Sequence, residues 1–483
     1  MAETFSCSLR MGMGNEILLQ ILSCLLPKTL TRFKCVSKWW CALISSPEFV
    51  VKHVQHNSDP DNKILSSSST CTVLLRRLLL DDVVCESRPR TQPRKHIIIH
   101  GIEDQDTKSV VFSVLNFCCY CCNANSDNFH CNNIDPLRFL SSFEDMDMTN
   151  LKQPLIDKEN TFRIVGHCDG IICVQLNAAE VVLWNPAIHE APKLLPPEPY
   201  LDVHISSSRR YRDMSQALGF GYDPKTNYYK VVDIGYPGNE LYGEYDDGND
   251  HIIYTPKPVV YSLGTDTWRE IATGSLETET TNLWPEDFQF YLKGMCYWVG
   301  HEQSKLVDGG ADMLVEDIRD VIISFDMRDE VFHDILLPHV YCLSSTVFYN
   351  IRLLLWYHKS VALFGCYARG HTNESFGIWV LHEEFGNRPN NNNNYYNATW
   401  TKHHAFDLTS THKPLAFWKS DEILLVSAYG YQPLVSYNLH TKASSQCLPI
   451  LGNPDGFAAV FYVPSMVSVL GFRKLYSVST NIL

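Results

Sequence analysis

The stretch Asp169-Gly170-Ile171-Ile172-Cys173-Val174, followed by Val182-Leu183-Trp184-Asn185-Pro186, decides how most of the chain is read. An acidic residue and a glycine open a short apolar run, a second run ending in an aromatic follows, and Asn-Pro stops it. Short β-branched and aromatic runs bounded by Gly, Pro, Asn and Asp are strand signals. The two-part unit recurs as Leu218-Gly219-Phe220-Gly221-Tyr222 with Val260-Tyr261-Ser262 up to Thr267-Trp268-Arg269, and as Lys293-Gly294-Met295-Cys296-Tyr297-Trp298 with Ser324-Phe325-Asp326. Two more are Val361 to Tyr367 with Gly377-Ile378-Trp379-Val380, and Glu422 to Ala428 with Val435-Ser436-Tyr437. Unit starts at 169, 218, 293, 361 and 422 are separated by 49, 75, 68 and 61 residues. Propeller blades of four short strands give periods of about 40 to 50 residues plus insertions. Loop material such as Gly238 to Asp250 and Asn390 to Asn394 accounts for the longer intervals. The expectation is a large all-β domain, propeller-like, with a series of two-sheet β sandwiches as the rival.

Ahead of these strands the periodicity is helical. Ile17, Leu18, Ile21, Leu22 and Leu25 mark one face of a first helix that ends near Pro27; Thr29 is placed to cap a second with Leu30, Phe33 and Val36; Ser37 is placed to cap a third with Trp40, Leu43 and Ile44, which Pro47 stops. Three helices in about 35 residues enclose little core of their own, so their leftover apolar surface calls for a partner. A polar stretch from Asn57 to Thr70, with Ser66 to Ser69, reads as a connector.

The 483 residues exceed what one hydrophobic core usually supports, which favours a small module joined to a large domain. With 45% hydrophobic, 12% aromatic and 19% charged residues the composition is that of a folded chain. No stretch approaches the roughly 18 uninterrupted apolar residues that span a bilayer, and the first ten residues lack a signal-peptide pattern. Seventeen cysteines, an odd number in a long chain, fit reduced thiols better than a disulfide framework. The expected location is therefore cytoplasmic, extending to the nucleus, with no membrane association. Residues 1 to 60 carry a net charge of +2 and the remainder −16. Such an acidic body repels nucleic acid and favours a basic protein partner.

Glu16-Ile17-Leu18-Leu19-Gln20-Ile21-Leu22-Ser23, Lys28 to Lys38, Trp40, Leu43-Ile44-Ser45-Ser46-Pro47 and Phe49 together resemble the F-box. The chain differs in carrying Met13-Gly14 where the family opens with Leu-Pro, and Leu25-Leu26-Pro27 where Leu-Pro ends the first helix. The resemblance implies a non-catalytic receptor whose helices bury apolar side chains against a Skp-type adaptor, and through it reach a cullin, a RING protein and the ubiquitin-conjugating enzyme. The residues expected to bind the adaptor are Ile17, Leu18, Ile21, Leu22, Leu25, Pro27, Leu30, Phe33, Val36, Trp40, Leu43 and Ile44.

The remainder resembles the plant F-box-associated (type 1) domain, a kelch-type propeller, and in particular the S-locus F-box proteins of the rose family. That similarity is carried by Gly166-His167-Cys168-Asp169-Gly170-Ile171-Ile172-Cys173-Val174, Leu183-Trp184-Asn185-Pro186, Ala217 to Asp223, Tyr229-Lys230-Val231-Val232, Lys293-Gly294 and Lys413 to Glu422. It implies selection of a protein for ubiquitination and proteasomal degradation, with pistil S-ribonucleases of self-incompatibility as the target class, acting in pollen. The rivals are an unrelated protein or glycoprotein target, and a β-propeller enzyme or lectin. The expected boundaries are 13–53 for the F-box, 54–95 for connector and first strands, 96–470 for the β domain and 471–483 for a tail.

Other clusters carry weaker chemistry. Cys118, Cys119, Cys121 and Cys122 with His130 and Cys131 offer zinc-type ligands, but adjacent cysteines on a strand point to opposite faces, so buried strand cysteines and no metal are expected. His403 and His404 read as exposed beside Trp400. Glu240, Glu244, Asp246, Asp247 and Asp250 match no calcium loop and form a candidate loop for a basic partner. No phosphate loop, nucleophile elbow or paired-histidine metal helix stands out, so no cofactor is expected.

Overall fold

A computed structural model of the chain describes residues 13–58, 70–80, 108–118, 140–145, 163–176, 180–188, 190–197, 217–235, 240–241, 252–253, 256–304, 318–338, 346–356, 359–369, 375–387, 394–406, 412–418, 421–427, 434–448, 450 and 457–470. Four helices come first: α1 (Met13–Ser23), α2 (Pro27–Lys34), α3 (Lys38–Ile44) and α4 (Pro47–Ser58). Ser37 caps α3 by accepting the Trp40 amide at 3.2 Å. Thr29 does not cap α2, which begins two residues earlier with Pro27 in its first turn and Leu26 at the cap position, where no side chain bonds. The third helix does stop short of Pro47, at Ile44, but Pro47 also opens a further helix. It sits at the first position of α4, where its missing N–H costs nothing, and Ser46 accepts the Phe49 amide at 3.3 Å.

Six four-stranded antiparallel sheets follow. Blade 1 contains β1 (Thr70–Leu80), β2 (Lys108–Cys118) and β3 (Leu140–Asp145), and blade 2 contains β4 (Arg163–Cys168), β5 (Ile171–Gln175), β6 (Val181–Trp184) and β7 (Lys193–Leu194). Blade 3 is built from β8 (Ala217–Asp223), β9 (Tyr228–Gly235), β12 (Lys257–Ser262) and β13 (Thr267–Glu270), with the small hairpin β10 (Glu240–Leu241) and β11 (Ile252–Ile253) inserted between its second and third strands. Blade 4 contains β14 (Thr281–Leu292), β15 (Met295–Ser304), β16 (Ile318–Asp326) and β17 (Val331–Leu336). Blade 5 contains β18 (Thr346–Trp356), β19 (Ser360–Arg369), β20 (Ser375–Asn387) and β21 (Asn394–Phe406), and blade 6 β22 (His412–Phe417), β23 (Glu422–Ser427), β24 (Leu434–Asn438) and β25 (Ala443–Leu448). The last strand, β26 (Ala458–Phe461), pairs with β1, Val73 opposite Phe461, and so supplies the innermost strand of blade 1. The innermost strands β26, β4, β8, β14, β18 and β22 touch one another in a closed ring. The fold is a six-bladed β-propeller, not a series of sandwiches.

The five recurring sequence units fall on blades 2 to 6. Four of them begin at or next to the second strand, whereas Leu218 lies in the first strand of blade 3. Taken consistently, second strands start at 171, 228, 295, 360 and 422, a more even series.

Six apolar clusters lie between consecutive blades, one for each junction. Blade strands therefore bury both faces and read as continuous apolar runs. On β15, Cys296 and Trp298 face blade 3 while Met295, Tyr297 and Val299 face blade 5, the period-2 alternation of a strand. Gly219 lets this packing close. A Cβ there would lie 2.5 Å from the Trp298 ring, whose indole N–H donates to the Leu218 carbonyl at 3.2 Å.

An ion cluster pins blade 3 to blade 4. Lys230 Nζ lies 2.5 Å from Asp223 Oδ2 and 2.7 Å from Glu330 Oε1, and donates to the Met327 carbonyl at 2.9 Å. Arg269 pairs with the same Glu330. Burial acts to raise the Asp223 carboxyl, but Lys230, the Thr226 hydroxyl and the Lys225 amide outweigh it and hold the carboxyl below its ordinary range. Glu330 is likewise lowered: Arg269 and Lys230 overcome the effect of burial.

Candidate functional site

The helices divide the sequence-predicted docking set into an inner and an outer group. Leu22, Pro27, Leu30, Leu43 and Ile44 are buried, and with Leu19 and Phe49 four of these leucines and isoleucines form the helical core. Leu18, Leu25, Phe33 and Trp40 are half-buried against that core. Phe33 meets Trp40 edge to face at 5.3 Å between ring centroids. Only Ile17, Ile21 and Val36 of the set face outward, 59%, 56% and 66% exposed. Sequence reasoning missed Leu26, 66% exposed, and Trp39, 42% exposed. A signal for Trp39 was available, because neighbouring helix positions point about 100° apart and Trp39 and Trp40 cannot both face inward.

Ile17 and Ile21 are four residues apart on α1, which puts them on one face; Leu26 and Val36 flank α2, and Trp39 is the second residue of α3. With Val51 of α4, 49% exposed, these large apolar side chains stay outside the helical core and are available for burial by a second protein.

The helices also pack on the propeller. Met466 lies within the helical core, and Ile188, in the turn after β6, packs against it. From α4, Val50 and Val54 pack against the cluster between blades 2 and 3, which includes Val467 and Val469. His53 is buried in α4, and its Nε2 lies 3.0 Å from the Leu25 carbonyl. Burial lowers its pKa, so it is neutral near pH 7 and donates from Nε2 to that oxygen. Lys34, close to Glu190 of blade 2, is lowered by burial at the same junction.

The helices thus meet blade 2 directly just after its third strand, at Ile188, and indirectly through Met466, whose neighbour Ser465 lies against Gly170, where the first strand turns into the second. Connections of those two kinds leave from the helix side of the ring. The second strand β9 ends, and the third strand β12 begins, at the other side. Of the candidate carboxylates, Glu240 pairs with Ile253 across the small hairpin; Glu244, Asp246, Asp247 and Asp250 lie outside the described residues. Cys118 ends β2, while Cys119, Cys121, Cys122, His130 and Cys131 also lie outside them. His403 and His404 flank Trp356 rather than Trp400, with ring centroids 5.5 and 5.8 Å away. A bulge in the β20–β21 pairing, where Ile378 opposes His404 and Trp379 opposes Lys402, leaves His403 between pairs. Trp400 instead donates to the Leu336 carbonyl of blade 4 at 2.8 Å. Among the described residues no group of three or more His, Cys, Asp or Glu is placed to hold a metal ion, and no helix is long and apolar enough to cross a membrane.

The buried carboxyl of Asp169 is raised by burial and accepts the Tyr229 hydroxyl at 2.9 Å. With that partner, and with its carbonyl covered by Ser465, Asp169 serves the junction of blades 2 and 3.

Among the described residues, helices with exposed apolar side chains packed on a six-bladed ring define a two-part chain of one recognisable class. Residues 117–469 match the F-box associated beta propeller domain and residues 15–55 match an F-box-like domain. The chain belongs to the family of proteins that carry the F-box associated propeller. It is similar to Arabidopsis thaliana proteins named for the F-box, one 22% identical over 68% of this chain and 66% of its own length, and another 26% identical over 42% and 43%. An Arabidopsis thaliana F-box/kelch-repeat protein is 24% identical over 40% of this chain and 39% of its own. The chain thus spans from about two fifths to just under two thirds of the lengths of these relatives. A Penicillium chrysogenum alpha-L-arabinanase superposes with a TM-score of 0.28 at 11% identity, covering 55% of this chain and 73% of its own, a likeness too slight to bear on function.

Proposed function

We propose that the chain is the non-catalytic substrate-recognition subunit of a Skp-cullin-F-box ubiquitin ligase, working in the cytoplasm and nucleus. The observation that carries this reading is the outward apolar group Ile17, Ile21, Leu26, Val36 and Trp39, standing beside a core that is complete without it. A Skp-type adaptor covers that group, while Leu22, Leu30, Leu43 and Ile44 shape the helices underneath. The adaptor bridges to cullin, a RING protein and the conjugating enzyme, and the receptor contributes proximity by holding a target lysine near a thioester made elsewhere.

The ring face away from the helices is the side we assign to the target, which is then degraded by the proteasome. The net charge of −16 beyond residue 60 favours a basic protein. A basic pistil S-ribonuclease, with pollen as the site of action in self-incompatibility, is the particular case implied by the resemblance to S-locus F-box proteins, and the charge is compatible with it.

The test replaces Ile17 and Val36 together by Asp in the full chain and measures capture of a Skp-type adaptor. Both positions are exposed, so circular dichroism and melting should be nearly unchanged, while adaptor affinity should fall more than about tenfold, roughly 1.4 kcal/mol. Unchanged capture by the folded double variant would refute the reading.

A further inference from the structure

The last described residues do more than close the ring. After β26, the Tyr462 amide donates to the Thr72 carbonyl at 2.9 Å and the Val463 amide approaches His167 Nε2 at 3.5 Å. The Gly170 amide donates to the same ring nitrogen at 3.3 Å. Burial pushes the His167 pKa down to about 4, which keeps the ring neutral and able to accept. Asn185 Nδ2 donates to the Ser465 carbonyl at 3.1 Å and to the Val467 carbonyl at 2.7 Å, and the Ser465 hydroxyl donates to the Asp169 carbonyl. Glu190 accepts the Val469 amide at 2.8 Å. Gly170 has φ +82°, and a Cβ there would stand 2.5 Å from Ser465 Oγ and 2.8 Å from Ser465 N, so the seat tolerates only glycine.

From this seat Met466 turns away from the propeller and is buried among Leu22, Leu30, Ile44 and Phe49 of the helices. One peptide segment is thus held by blade 2 through its main chain and by the helices through a side chain.

We infer that residues 462–469 are a positioning strap: the N-terminal helices take their packed form and fixed place only on a closed ring, with Met466 as the residue that holds them. This goes beyond the assignment of a ligase role, since it holds whatever protein covers the outer helix face. It adds a requirement to that role, because the geometry between docking helices and target face depends on residues more than 400 positions after the helices.

Hydrogen exchange with mass spectrometry on the full chain reads the inference without any adaptor, so its failure and the failure of the ligase assignment are distinguishable. Met466→Asp should lower amide protection across residues 13–58 at least tenfold while blade 4 keeps its protection, and Met466→Leu should restore it. Gly170→Ala, which displaces the strap from the blade side without touching a helix, should expose the same amides. Unchanged helix protection in Met466→Asp would overturn the inference. If Met466→Asp loosened helices and blades alike, Met466→Ala decides, and an even loss over both parts in that variant would also overturn it.

Discussion

The helices and the blades dispose of their apolar residues in opposite ways. Each blade is sandwiched between two others, so both strand faces are covered; the exposed large apolar residues of the described blades, Leu194, Val331 and Leu336, all lie on outermost strands. The helical unit is far smaller, yet Ile17, Ile21, Leu26, Val36, Trp39 and Val51 stand exposed on it. A ring that closes on itself completes its own core, whereas four short helices cannot. What they leave uncovered is the surface that the proposed function assigns to an adaptor, and it contrasts with the six-fold packing beside it, where such groups are buried.

The sharpest way to break this contrast is to put a charge in the helical core. Leu30 is fully buried, so Leu30→Asp should cost more than about 4 kcal/mol. Because the change destroys the fold of the helices, adaptor loss in this variant says nothing of the outer face. Thermal melting should then show loss of the helices with the propeller transition retained.

A second test asks whether the blades depend on one polar seam. Lys230→Met leaves the buried Asp223 carboxylate without its ammonium partner and should cost about 3 to 5 kcal/mol in urea unfolding. The acid limb follows from the same seam. Asp223 and Glu330 are lowered in the folded state, so their contribution is fully present above the ordinary carboxylate range near pH 4 and is lost as pH falls through the lowered values. Wild-type stability should decline as the pH drops below about 4; a flat profile there would show that the seam carries no net stabilisation.

The smallest effect concerns the start of α3. Ser37→Ala removes the acceptor for the Trp40 amide and should lower helix stability by about 1 kcal/mol, seen as a small fall in melting temperature without loss of adaptor capture.

Much of the ring was legible because each of blades 2 to 6 is contiguous in sequence and its second strand carries the apolar signal. Blade 1 was not, since β26 pairs with a strand nearly 390 residues away and no sequence period records a pairing between the two ends. α4 was missed because proline punctuates both ends of helices; Ser46 immediately before Pro47 was the clue that it began one. The docking set was legible as apolar helix positions but not as a surface. In a bundle this thin the same 3.6-residue spacing marks residues that hold the helices together, such as Leu22 and Ile44, and residues that stand exposed, such as Ile17. The strap was out of reach for another reason, since nothing in Ser465-Met466-Val467 announces a neighbour at Leu30.

The strap also sets an order of events on the ribosome. The helices emerge before Met466, with about 400 residues between them; at roughly 5 to 20 residues per second that gap lasts some twenty seconds or more. Throughout it the nascent helices lack the Met466 side chain that packs in their core, and they add an open core to the six apolar groups already outside. On that inference the apolar surface that the helices offer is greatest before β26 joins β1, and it falls when the ring closes and Met466 is seated.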